Sequence, residues 1–88
     1  MKLNANFALR QVADLWVVMP MGAATADFNG MIKLNASGAL LWQALEQGAD
    51  REDLADALMK EYDVDRDRAL ADVDQFVASL ASVGCIEI

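Results

Sequence analysis

The spacing of large apolar side chains changes period near residue 34, and that change limits the folds open to this chain. Before it, short runs are rich in β-branched and aromatic residues. Phe7-Ala8-Leu9-Arg10-Gln11-Val12 and Leu15-Trp16-Val17-Val18-Met19 read as strands joined by a turn at Ala13-Asp14. Pro20 ends the second strand because it cannot donate a ladder hydrogen bond. The small-residue stretch Gly22-Ala23-Ala24-Thr25-Ala26 leads into Asp27-Phe28-Asn29-Gly30-Met31-Ile32-Lys33-Leu34. There Asn29-Gly30 either reverses the chain in a tight hairpin or forms a bulge within one longer third strand.

After residue 34 the period becomes helical. Asn35 can cap a first helix with Leu41 and Leu45 four apart and Trp42 beside them, and Gly48 supplies its stop. Asp50 caps a second helix, with Asp53 in its first turn and Leu54, Leu58 and Tyr62 as its apolar stripe. Asp65 caps a third and longest helix. Ala69, Val73, Phe76, Leu80 and Val83 form its stripe, Leu70 and Val77 widen one flank, and Gly84 stops it before a short extended tail. Strands first and three helices after, in 88 residues, predict one α+β domain spanning residues 1–88, with the helices on one face of a small antiparallel sheet.

Composition narrows the chemistry. Without histidine there is no Ser-His-Asp triad, Cys-His pair or helical zinc-protease motif. One cysteine, Cys85, allows neither an internal disulfide nor a thiolate cage. Asp63-Val64-Asp65-Arg66-Asp67 begins like a calcium loop, but Arg68 stands where the sharp turn needs glycine. These features make an enzyme the weaker reading, and no cofactor and no metal are expected. No apolar run approaches the roughly 20 residues of a membrane span, and no signal-peptide core is visible, so a cytoplasmic setting is expected.

Charge is uneven. The net charge is −7, yet residues 1–45 carry +1 and residues 46–88 carry −8. Three helices with a small sheet suggest a winged helix, but a DNA-reading helix needs cations aimed at phosphate. Here Asp67, Asp72 and Asp74 oppose Arg66 and Arg68, so no nucleic-acid partner is expected. What remains is an open strand edge beside a wide apolar helix, a groove to which an extended peptide can add as a further strand. The plainer reading of Leu70 and Val77 is that they complete the core. A second copy of the chain is another candidate for the open edge, giving a homodimer.

Leu34-Asn35-Ala36-Ser37-Gly38-Ala39-Leu40-Leu41-Trp42 resembles the strand-to-helix signature of the PqqD family (coenzyme PQQ synthesis protein D), also described as recognition elements for ribosomally made, post-translationally modified peptides. Further matches follow in order at Phe7 to Arg10, Val17 to Gly22, Leu45 with Gly48, Tyr62-Asp63-Val64, Asp72, Phe76, Leu80 and Gly84, over about residues 6 to 87. The resemblance implies a winged-helix-like domain that binds a precursor's leader segment and presents it to a modifying enzyme, often a radical SAM protein. It implies strand addition beside Phe28, Met31, Ile32, Lys33 and Leu34, facing Leu70, Val73, Asp74 and Val77 of the third helix. On that mapping Val77→Asp weakens leader binding without unfolding the domain. Ser37 stands where the family often has threonine, and Cys85 where a larger apolar residue is usual. The resemblance leaves open whether the product is PQQ or another modified peptide.

Overall fold

The structure, a computed structural model, describes residues 2–21 and 32–87. Phe28, Met31 and the Asn29-Gly30 turn lie outside the described residues. Among the described residues eight elements follow in chain order: β1 (Lys2–Leu3), β2 (Phe7–Val12), β3 (Leu15–Pro20), β4 (Ile32–Leu34), α1 (Ala36–Glu46), α2 (Arg51–Glu61), α3 (Arg66–Ala81) and β5 (Ile86–Glu87). This is the α+β, winged-helix-like arrangement that the change of period predicts.

β2 and β3 form a hairpin in register from Val12↔Leu15 to Phe7↔Pro20. β4 pairs on the other side of β3, through Val18↔Ile32, Val17↔Lys33 and Trp16↔Leu34. β3 is therefore central, and β2 and β4 are the two edges. A two-residue hairpin turn asks for positive φ, and Ala13 supplies it at φ 55° against the steric preference of its own Cβ. Neither residues 2–6 nor the tail after Gly84 carries a periodic signal that announces a partner. In the structure these ends meet as a separate two-stranded sheet, with Lys2↔Glu87 and Leu3↔Ile86. Asn4 clasps the junction: its N–H donates to the Cys85 carbonyl at 2.8 Å and its side-chain amide to the Gly84 carbonyl at 3.0 Å.

All three helix caps follow from local chemistry. Asn35 Oδ1 accepts from Gly38 N–H at 2.8 Å, and Asp65 Oδ1 accepts from Arg68 N–H at 2.8 Å. Asp50 and Asp53 form a reciprocal capping box, in which each carboxylate accepts from the other's backbone N–H. Two ends differ from the sequence reading. α2 stops at Glu61, so Tyr62 leaves the stripe as an exposed cap with extended backbone. α3 stops at Ala81, so Val83 also leaves its stripe and is exposed.

The core lies between the sheet and the helices. Phe7 and Val18 of the sheet meet Leu41, Trp42 and Leu45 of α1, Leu54 and Leu58 of α2, and Ala69, Val73 and Leu80 of α3, all buried. Among the described residues no helix is long and apolar enough to cross a membrane. Ala13→Gly is expected to raise stability by about 1 kcal/mol, because glycine adopts this positive φ without the Cβ clash. Urea unfolding of the two proteins checks it.

Candidate functional site

β4 is an edge strand, so alternate backbone N–H and C=O groups on its outer side have no strand partner among the described residues. Its pleat turns Ile32 and Leu34 inward against the core while Lys33 stays exposed. Beyond that edge a cleft of about 600 Å³ separates β4 from α3. Phe76, Gln75 and Ser79 form much of the α3 wall, Leu41, Leu58 and Leu80 the floor, and Arg68 and Asp72 one rim. Gly38 lies at one end for a steric reason. A Cβ there would stand 3.2 Å from Asn35 Oδ1 and 3.3 Å from Leu34 Cβ, crowding both the α1 cap and the cleft wall.

Of the positions that the sequence suggested, Ile32, Lys33 and Leu34 line this cleft. Those on α3 do not line it. Val73 is fully buried, and Leu70 and Val77 are half-buried against the core cluster. Asp74 faces α2, where its carboxylate accepts from Arg51 Nε at 2.7 Å and Nη2 at 2.8 Å. The reason is rotational phase. At about 100° per residue, Ser79 lies about 200° round the helix from Val77 and about 180° from Leu70. Ala69, Val73 and Leu80 turn inward and hold that phase.

The cleft residues that the sequence reading missed are Asp72, Gln75, Ser79 and Arg68, together with Phe76 and Val83 in a surface role. Asp72, Phe76 and Ser79 do share one flank of α3. That spacing identifies a flank but not the neighbour it faces.

The charges are arranged by the same geometry. Arg51 holds the Asp74 carboxyl below its ordinary range by hydrogen bonding, and Asp74 in turn pushes the Arg51 guanidinium up. Arg66 reaches back to Asp56 at 3.0 Å and to Glu52, so two arginines tie α2 to α3. At the cleft rim, Arg68 Nε stands 3.3 Å from both Asp72 oxygens. Lys33 has no ion pair among the described residues. Cys85 lies in the core, and burial pushes its thiol up to about 11, far from the thiolate that nucleophilic chemistry needs.

An open edge strand across a cleft from an amphipathic helix defines a class, small α+β domains shaped to receive an extended chain. The chain belongs to the PqqD family: the family model for coenzyme PQQ synthesis protein D matches residues 16–86. Two solved structures are similar over almost the whole chain. One is TbiB1 in complex with the TbiA(beta) leader peptide, with 28% identity, 99% of this chain and 95% of that one covered, and a TM-score of 0.82. The other is a lasso peptide synthetase B1 complexed with the leader peptide, with 29% identity, 94% and 92% covered, and a TM-score of 0.77. No curated protein matches the sequence significantly.

The Cys85 thiol gives a pH prediction. Its folded value is raised, so its contribution to stability is complete below the unfolded value near 9. That contribution is lost as pH rises toward about 11, because the unfolded chain releases the proton first. Over that interval the stability of Cys85→Val should fall less than that of the parent, as measured by urea unfolding at each pH.

Proposed function

We propose that the protein is a non-catalytic adaptor. It binds the leader of a ribosomally made precursor peptide by strand addition and presents it to a modifying enzyme of the radical SAM type. The observation that carries this reading is the outer edge of β4, which has no strand partner among the described residues and faces α3 across a cleft of about 600 Å³. Family membership supports it, and so do the leader peptides bound in both solved neighbours. Backbone hydrogen bonds along β4 supply affinity with little demand on leader sequence, and the floor of Leu41, Leu58 and Leu80 selects apolar side chains. Holding leader and enzyme together raises the effective concentration of the modifiable segment at the catalytic site.

In this reading the leader contacts Ile32, Lys33 and Leu34 and meets α3 through Phe76, Gln75 and Ser79; Met31 and Phe28, which the family resemblance adds to the site, lie outside the described residues. Leu70, Val73 and Val77 hold α3 in place from within. Asp74 sets its angle to α2 through Arg51. A second reading concerns only the enzyme served. One of the two solved neighbours is a lasso peptide synthetase B1 with its leader, which favours a leader destined for lasso-peptide assembly over one modified by a radical SAM protein. Pull-down with each enzyme class from the same gene neighbourhood separates the two.

Ser79 is exposed on the cleft wall, so Ser79→Trp should fill the groove and leave the fold intact. Titration calorimetry with the leader of the nearest precursor gene should show at least a tenfold loss of affinity, with an unchanged far-ultraviolet spectrum. Unchanged affinity would overturn strand addition at this edge. Val77→Asp should behave oppositely, lowering stability by about 1–3 kcal/mol through a half-buried charge while folded molecules still bind. Growth in size with concentration, abolished by the same Ser79→Trp, would instead assign the β4 edge to a homodimer.

A further inference from the structure

The sheet has a cationic row on the face opposite the helices. Arg10 on β2 is the register partner of Val17 on β3, and Val17 is the register partner of Lys33 on β4. The three side chains therefore share one face, with a cation at each end and a buried valine between them. Val17 is buried but stands apart from the main core cluster, whereas its neighbour Val18 belongs to it, so the two point to opposite faces. The acidic residues from 46 onward lie on the helical layer or beside it, except Glu87 on β5. In a chain of net charge −7, the outer face of this sheet thus carries a locally positive row that ends at the open edge.

We infer that the peptide received at β4 carries an acidic residue between two apolar ones, with the carboxylate beside Lys33. This rests on the strand-addition reading above and adds its charge specificity. An added strand alternates faces in step with β4. The residue level with Lys33 joins the Arg10–Val17–Lys33 row, where opposite charges on adjacent strands stabilise each other. The residues before and after it turn to the helical side, over Ile32, Leu34 and Phe76. Among the described residues Lys33 has no ion pair, whereas Arg68 across the cleft is already answered by Asp72. The alternation holds for a parallel or an antiparallel strand, so the pattern does not depend on the direction of the peptide.

The test is selection from a displayed library of randomised twelve-residue peptides on four full-length proteins: the parent, Lys33→Glu, Lys33→Gln and Ser79→Trp. The parent pool should enrich Asp or Glu between two apolar residues about three- to tenfold over chance. The Lys33→Glu pool should exchange that residue for Lys or Arg, the Lys33→Gln pool should lose the preference, and both should keep the apolar neighbours. Pools that keep the apolar alternation, depend on an open Ser79 and ignore the charge at residue 33 would overturn this inference and leave strand addition standing. Pools with no alternation, no enrichment, or no loss on Ser79→Trp would overturn strand addition itself and the inference with it.

Discussion

The inward stripe of α3 sets the rest of the molecule. Ala69, Val73 and Leu80 are essentially removed from water, and rotating the helix would bring part of this apolar surface back into contact with solvent. With that stripe held, each remaining flank of α3 has one assignment. The flank of Leu70, Asp74 and Val77 seals against the core and α2, and the flank of Phe76 and Ser79 looks out across the cleft to β4. A helix of 16 residues thereby acts as a wall of the core and a wall of the groove at once.

Electrostatics refines this arrangement without supplying its stability. The arginine bridges between α2 and α3 are exposed, and exposed pairs contribute little to folding. They bridge the exposed faces of α2 and α3. Charge is also sorted by layer, with anions concentrated on the helices and Arg10 and Lys33 on the outer sheet face. The cleft lies at the junction of the two layers, so it has an apolar floor and two different electrostatic walls.

What the sequence reveals and what it hides divide by range. The caps at Asn35, Asp50 and Asp65 were legible because each is settled within three residues. The Leu15–Met19 strand was legible because β-branched and aromatic residues crowd a short run. The pairing of residues 2–3 with 86–87 was not, since two-residue strands have no measurable period and their partners are more than 80 residues away. The cleft was half legible. Ile32 to Leu34 could be recognised as an edge, but periodicity cannot tell which side of a wide apolar helix faces a distant strand. Asp74 illustrates the limit, because its orientation follows from Arg51, 23 residues earlier, and nothing local to α3 announces that partnership.

The pairing of Lys2 with Glu87 has a topological consequence. Antiparallel partners bring the two ends of the described chain to one spot, held there by the Asn4 clasp. Polypeptide arriving before residue 2 and departing after residue 87 would run side by side. The domain could thus be spliced into a surface loop of a larger host with hardly any added linker, like a bead threaded at a single point. Its cleft would remain facing outward, because nothing that forms the junction also forms the groove.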